Sequence, residues 1–200
     1  MKVLISLFIF TASLNVAEAQ PGLINSTELD FLQNYLQASL GETQKVLSTI
    51  DDSLWLYRPR SGGWSIAECM EHIMLAEEAV FEQLKKALSD DAVEGRSLRN
   101  RDGLVITFAV DRGKKVKTPL PPKTISATRQ EYLEALKKSR TEIVAFLSNP
   151  GLPLRSHFGR SPFGEVDAYQ LALIIGAHGL RHTAQMKEVI GEYSGQPVQY

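Results

Sequence analysis

The most informative stretch of the sequence for fold and function is Ala177-His178-Gly179-Leu180-Arg181-His182-Thr183-Ala184-Gln185. It lies within a long series of apolar residues at helical spacing near the carboxyl terminus, and it places two histidines four residues apart. Residues four apart on an α-helix share one face and lie one turn from each other along the axis. The sequence therefore predicts that His178 and His182 present their imidazoles side by side.

The helix that carries this pair is predicted to begin after Asp167, because Gln170 three residues later completes a capping box. Its end is predicted at Gly191. The residues of its inward face are Leu171, Ile174, Ile175, His178, His182, Gln185 and Val189. Two imidazoles on a mostly apolar face each need a hydrogen-bond partner if they are only core residues. A shared metal ion would satisfy both, although a histidine pair at this spacing is by itself a weak motif.

A third histidine, His72, lies on another amphipathic helix about a hundred residues upstream. Ser65 and Glu68 predict a capping box at the start of this helix, and Trp64 precedes it in the position of a hydrophobic staple. The helix is predicted to continue to about residue 88. Its buried face comprises Cys69, His72, Ile73, Ala76, Val80 and Leu84. His72 is therefore also predicted to point inward, and the alternative to a metal site is three hydrogen-bonded core histidines.

Two further long helices are predicted, at about residues 25–52 and 126–147. Glycines and prolines interrupt residues 90–123, in which residues 104–110 could form a short helix or a strand. This insertion is a candidate wall or lid of the metal pocket. Residues 154–164 are interpreted as a loop. Four long helices with one long insertion between the second and the third predict an all-α four-helix bundle.

The first residues have the features of a secretory signal peptide, with Lys2 followed by an apolar run at residues 3–14 and small residues at 17–19. The run is too short to cross a bilayer comfortably. We therefore expect a signal peptide at residues 1–19 and one domain at residues 20–200. The mature chain is expected in the periplasm or outside the cell, without membrane association.

Charge and cysteine content narrow the possible partners. The formal net charge is -1, which gives no electrostatic reason to expect a nucleic acid partner, so a small-molecule substrate is expected instead. The single cysteine, Cys69, cannot form an intramolecular disulfide and is predicted to be a small buried apolar residue. The basic residues between Arg112 and Lys117 are predicted to lie in a solvated loop.

Several motifs together resemble the DinB-like superfamily, most closely the branch with YfiT-type metal-dependent hydrolases and bacillithiol S-transferases. These motifs are Gly63-Trp64-Ser65-Ile66-Ala67-Glu68, Glu71-His72, His157-Phe158-Gly159, Phe163-Gly164 and the stretch from His178 to Gln185. The resemblance covers nearly the whole mature chain. It implies an up-down-down-up bundle that holds a divalent ion, zinc or nickel, on His72, His178 and His182. His157 matches a loop histidine that we do not count as a ligand.

A metal on three neutral ligands could lower the pKa of bound water to about 7, or acidify a bound thiol. Gln185, one turn after His182, and Glu68, one turn before His72, are the candidate catalytic groups, as partners of the ligands or as acid–base groups. For Glu68 the capping role is a sufficient alternative. Arg181 could orient an anionic substrate or be a surface residue.

Two functions remain open at this point. The protein is either a metal-dependent hydrolase or thiol S-transferase, or a non-catalytic bundle that binds a metal or ligand. The second alternative is suggested because no acid–base carboxylate is obvious beside the three histidines. The signal peptide departs from the usual cytoplasmic setting of the family and argues against small thiols as cosubstrates. Flat apolar helix faces would allow a homodimer.

Overall fold

The computed structural model describes residues 22–113, 117–123, 125 and 127–196. Within these residues the chain forms helices α1 (Ser26–Ser48), α2 (Asp52–Trp55), α3 (Ile66–Ser89), α4 (Asp102–Val110), α5 (Arg129–Leu147) and α6 (Ala168–Ser194), with strands β1 (Phe158–Ser161) and β2 (Gly164–Asp167). A short 3-10 turn, Arg99–Arg101, precedes α4. The four long helices α1, α3, α5 and α6 form the bundle, so the predicted all-α four-helix class is confirmed.

The direction of each helix follows from which residues meet. The Tyr132 hydroxyl donates to Glu71, and Arg140 further along α5 binds Glu77 further along α3, so these two helices run parallel. Helix α6 packs against both α1 and α3, and α5 packs against the same two helices on the other side. The second and third long helices are thus parallel neighbours.

Helices α1 and α6 are the other parallel pair. The Tyr169 hydroxyl near the start of α6 donates to the carbonyl oxygen of Glu28 near the start of α1. Farther along both helices the hydroxyls of Thr43 and Thr183 lie 2.8 Å apart. Since the start of α3 packs against the end of α6 in one apolar cluster, α3 runs opposite to α6. The order is up-down-down-up, as the resemblance implied.

All four long helices begin with a capping box, which satisfies backbone N–H groups that have no partner inside the helix. The pairs are Asn25 with Glu28, Ser65 with Glu68, Thr128 with Glu131, and Asp167 with Gln170. The two boxes predicted from the sequence, at Ser65 and Asp167, are therefore confirmed. These boxes fix where α3 and α6 start, and with that the rotation of the histidines on each helix.

Two predicted helix ends were wrong. Helix α6 does not stop at Gly191 but continues to Ser194, and Gly195 ends it with a φ of 68°. A helix of this type ends where a residue adopts the left-handed conformation, and Gly195 rather than Gly191 does so. Helix α1 ends at Ser48, and the separate short helix α2 begins after its own N-cap, Asp51.

Residues 154–164 are not simply a loop, since β1 and β2 form an antiparallel hairpin there. Phe158 pairs with Asp167, so the second strand ends at the N-cap of α6. Each strand has four residues, too few for an alternating pattern to be recognised in the sequence. Gly164, with a φ of 103°, begins the second strand after the turn.

The insertion contains α4, which resolves the choice between helix and strand at residues 104–110. Val105 and Ala109 are buried against the bundle and α4 packs on α6, while Leu104 and Phe108 remain exposed. Because the helix is apolar on both faces, its sequence shows no clear periodicity. Parallel neighbours such as α3 and α5 need a connection as long as a helix, and the insertion supplies it.

The amino-terminal prediction falls outside this description. The expected signal peptide, residues 1–19, belongs to the part of the chain that the structure does not describe. Among the described ranges, no helix is both long enough and apolar enough to cross a membrane. Cys69 is buried, and burial raises the pKa of its thiol, in agreement with the predicted core position.

Candidate metal centre

His72 of α3 and His178 and His182 of α6 come together inside the bundle. Their candidate ligand atoms all lie within 4.8 Å of one another. The ring centroid of His72 is 4.9 Å from that of His178 and 4.6 Å from that of His182, and the two α6 rings are 4.5 Å apart. His72 and His182 are buried, whereas His178 is partly exposed. The three residues predicted as ligands therefore form one cluster.

Gly179, which lies between the two histidines in the sequence, is near the buried side chain of Arg140. A Cβ atom at this position would lie 3.8 Å from a guanidinium nitrogen of Arg140. That guanidinium is buried, pairs with Glu77 and also donates to Ser39 and to the carbonyl oxygen of Leu36. A charged network that joins α1, α3 and α5 therefore also lies next to α6 at Gly179.

The hydrogen bonds of two histidines determine which ring nitrogen carries the proton. Nδ1 of His72 lies 2.7 Å from the carbonyl oxygen of Leu120, and Nδ1 of His182 lies 2.9 Å from Oε1 of Gln185. Both partners are acceptors, so each Nδ1 must be the donor. The lone pair of each ring is then on Nε2, which is the pattern usual for histidine ligands of metals.

The Nε2 atoms of His178 and His182 lie 3.1 Å apart. Two ligands that each lie about 2.0–2.1 Å from a tetrahedral zinc ion are separated by about 3.3 Å. The observed separation therefore fits a pair that shares one ion. Without an ion, His178 would have to carry its proton on Nε2 and donate it to His182.

The environment keeps all three rings neutral. Burial lowers the pKa of His72, and this effect outweighs the opposing hydrogen bond to Leu120. Burial and the neighbouring charges of His72 and Arg181 lower the pKa of His178 to about 3. Burial and the other two histidines place the pKa of His182 well below its usual value of 6.5. Neutral imidazole is the form that binds a metal, so the cluster is ready for one at neutral pH.

Trp64 is a wall of the cluster that the sequence did not predict. Its ring stacks on His182 at a centroid distance of 5.7 Å and tilts against His72 at 4.8 Å. In the sequence, its place just before the N-cap Ser65 indicated only a hydrophobic staple. An aromatic wall restricts the rotation of both imidazoles and excludes water from that side of the cluster.

The two candidate catalytic residues differ in their surroundings. Gln185 contacts a ligand directly, through the bond from His182. Glu68 accepts a hydrogen bond from the backbone N–H of Ser65 and pairs with the guanidinium of Arg58. Of the hydrogen bonds within the described ranges, none joins Glu68 to a histidine. The contacts of Glu68 are those of a capping residue, and those of Gln185 are those of a partner of a metal ligand.

His157 lies apart from the histidine cluster, whereas Arg181 lies near it. His157 is buried next to the end of α3, where its Nδ1 lies 3.1 Å from the carbonyl oxygen of Ala87, apart from the cluster. Arg181 is partly buried, and its charge contributes to the lowered pKa values of His178 and His182, which places it near the site.

Two residues of the insertion reach the cluster without any sequence signal. The carbonyl oxygen of Leu120 binds His72, and Arg112 contacts Gln185 and Glu188. Both residues lie in irregular backbone, where apolar periodicity carries no information about contacts. The insertion is thus a wall of the site, one of the two roles considered for it.

Comparisons with known proteins agree with this architecture. A sequence model of the DinB superfamily matches residues 35–186. A search of curated protein sequences gives no significant match. Among solved structures, YfiT from Bacillus subtilis, described as a probable metal-dependent hydrolase with an unusual four-helix bundle topology, superposes with a TM-score of 0.60 at 14% sequence identity. The alignment covers 87% of this chain and 91% of YfiT, and at this identity it establishes the fold alone.

Proposed function

The chain belongs to the DinB superfamily, and we propose that it is a metal-dependent enzyme, a hydrolase or a thiol S-transferase. In this proposal His72, His178 and His182 hold one divalent ion. The observation that carries the proposal is the convergence of three neutral imidazoles, two of them with Nε2 atoms 3.1 Å apart. YfiT, which has the same fold, is described as a probable metal-dependent hydrolase, and this description is consistent with the proposal.

A divalent ion on three neutral ligands would retain its full charge and could lower the pKa of a bound water to about 7, or acidify a bound thiol. The residues of the chain supply the geometry. Leu120 and Gln185 hold the Nδ1–H groups of His72 and His182, and Trp64 limits the rotation of both rings. Zinc and nickel are both among the metals that imidazole ligands suit, and we propose one of these two.

A non-catalytic metal- or ligand-binding bundle is the second candidate. It is favoured by the contacts of the two proposed catalytic groups. Glu68 is occupied by Ser65 and Arg58, and the amide of Gln185 cannot take up a proton as a carboxylate does. On the enzymatic proposal, Gln185 orients His182 and proton transfer falls to the bound water or thiol and its substrate.

Metal analysis of the purified protein tests whether His72, His178 and His182 hold a divalent ion. We expect one zinc or nickel ion per chain by mass spectrometry, lost in the His178→Ala variant and retained in His157→Gln. The second variant is a matched control, since it also removes a buried histidine but one outside the cluster. A wild-type protein that takes up no metal from a buffered excess would refute the enzyme and the metal-binding bundle, and would leave only a bundle that binds another ligand.

Turnover separates the enzyme from the binding protein. Esters, amides and thiol conjugates should be screened with the metal-loaded wild type and with His178→Ala. Metal-dependent turnover lost in the variant would support the enzyme. Stoichiometric metal without turnover of any class in the screen would favour the binding protein.

The cellular setting is also a proposal. We propose that the chain is exported, that the mature protein starts at Gln20, and that it acts on a small molecule rather than a nucleic acid. The signal-like residues 1–19 support export, and the net charge of -1 supports the absence of a nucleic acid partner. The mass of the protein recovered from the periplasm or medium tests the cleavage point. We also propose that the chain can form a homodimer, which a measurement of molar mass in solution would test.

A further inference from the structure

The insertion contacts two of the three proposed ligands, one directly and one through another side chain. The backbone carbonyl of Leu120 accepts the Nδ1–H of His72 at 2.7 Å. Arg112 reaches Oε1 of Gln185, the same oxygen that accepts the Nδ1–H of His182. The second connection involves side chains only, so mutation can remove it without changing the backbone.

The guanidinium of Arg112 is held in place by Glu188. Nε lies 3.1 Å from one carboxylate oxygen and one terminal nitrogen lies 2.6 Å from the other. The remaining terminal nitrogen lies 3.4 Å from Oε1 of Gln185. A guanidinium presents its donors in a rigid fork, so the pair with Glu188 directs the third donor at the amide.

The orientation of the Gln185 amide selects the tautomer of His182. The two ends of an amide differ chemically, because the oxygen accepts and the nitrogen donates. If the amide turned around, its NH₂ group would face Nδ1 of His182 and favour the proton on Nε2. That tautomer has no lone pair on Nε2 to offer a metal. A donor that fixes the oxygen end therefore favours the binding-competent tautomer.

We propose that Arg112 is a positioning residue of the metal centre, which holds the Gln185 oxygen against the Nδ1–H of His182 so that Nε2 is free for the ion. This inference depends on the proposed function only because it takes a metal ion to be the group that binds Nε2 of His182. Arg112 does not touch the metal itself. Its positive charge alone would oppose a cation, so a loss of affinity on its removal cannot be explained by charge.

Metal affinity of the Arg112→Met variant provides the first test. Partners of metal-bound histidines typically change affinity by about 10- to 100-fold when removed. We expect a weakening within that range, measured as Co²⁺ binding followed by visible absorption. Lys187→Met is the matched control, because Lys187 has the same side-chain exposure as Arg112, 28%, and also forms an ion pair with a glutamate, Glu42, but has no hydrogen bond to Gln185 in the described residues. Equal or tighter Co²⁺ binding in Arg112→Met would overturn the inference.

A double-mutant cycle shows whether the effect acts through the amide. Gln185→Leu alone should also weaken Co²⁺ binding. In the Gln185→Leu background, Arg112→Met should cause no further loss, because the group that it positions is gone. A loss of the same size in both backgrounds would indicate a general structural role and would also overturn the inference.

The tautomer gives a readout that needs no metal. In metal-free wild type, ¹⁵N NMR of the imidazoles should find the His182 proton on Nδ1, and Arg112→Met should shift it towards Nε2. An unchanged tautomer in the variant contradicts the inference. If Arg112→Met shifts the His182 proton towards Nε2 but the wild type does not bind Co²⁺, the proposed function fails while the positioning of the Gln185 amide by Arg112 stands.

Discussion

The three histidines make the stability of the folded protein depend on pH, because their pKa values differ between the folded and the unfolded state. In the folded state the pKa of each ring is lowered by burial, to about 3 for His178, whereas the ordinary value is 6.5. Above pH 6.5 both states are neutral at these positions. Below it the unfolded chain binds protons that the folded chain excludes, so stability is lost as the pH falls.

We therefore expect the metal-free protein to lose about 1 kcal/mol of unfolding free energy for each of His178 and His182 between pH 7.5 and pH 5.5, with a further loss from His72. Urea unfolding at the two pH values measures it, with chelator present. A His182→Asn variant should lose less over the same interval. If the wild type and the variant lost equal stability, His182 would not be one of the groups that titrate.

The position of Trp64 predicts an optical signal of metal binding. The chain has two tryptophans, and Trp64 stacks on His182 whereas Trp55 packs against Tyr132. Addition of Ni²⁺ or Co²⁺ should quench the fluorescence of Trp64, and Trp64→Phe should remove most of the quenching. Trp55→Phe, the matched control, should leave it intact; quenching that survives in Trp64→Phe would place the ion elsewhere.

Of the residues that form the site, the sequence identified those on helices with regular apolar spacing and missed those outside the helices. His178 and His182 could be paired from the helical period, and His72 from its place on an apolar face. Trp64, Arg112 and Leu120 reach the site from backbone outside the helices. Their contacts depend on the path of the chain, which no local pattern encodes.

Among the elements, helix starts were predicted more accurately than helix ends. The starts of α3 and α6 were identified because a capping box needs two polar residues at a fixed spacing. The end of α6 was misplaced because Gly191 and Gly195 look alike in sequence, and only the backbone shows which one adopts a positive φ. The hairpin was missed because its strands are too short to show a period.

Two helical glycines should respond oppositely to the same substitution. Gly41 of α1 has no atom within 4 Å of the space for a Cβ, so Gly41→Ala should stabilise the protein by about 0.5–1 kcal/mol. At Gly176 of α6 a Cβ would lie 2.8 Å from the ring of Tyr35, so Gly176→Ala should destabilise it through the clash. Thermal unfolding of both variants measures the difference. Stabilisation in both would show that α1 and α6 are farther apart than described.

For the whole molecule, the class of fold followed from the count of long amphipathic helices and the length of the insertion. The order of the helices around the bundle did not follow from helix periodicity and came from the family resemblance. The buried ion pair of Glu77 and Arg140 was also missed, because charged residues on a helix usually face water. Arg140 of α5 binds Glu77 of α3 and the carbonyl oxygen of Leu36 of α1, so this side chain joins three of the four long helices.

Removal of one partner of this pair should be costly. Arg140→Met would leave the carboxylate of Glu77 buried without its partner, and we expect a loss of about 3–5 kcal/mol in urea unfolding. The double variant Glu77→Leu/Arg140→Met should recover much of the loss, because neither charge then remains buried. A double variant as unstable as Arg140→Met would assign the loss to the other contacts of the arginine, with Ser39 and Leu36.

The arrangement of the histidines on the second and the last long helix has a consequence for biosynthesis. His72 leaves the ribosome more than a hundred residues before His178 and His182. An amino-terminal fragment that ends before His182 lacks the complete set, so under the proposed function an ion would be captured only after nearly the whole chain has been translated and its crossover between α3 and α5 has closed. If the chain is exported before it folds, as proposed above, the metal supply of the compartment in which it folds would decide which ion it holds.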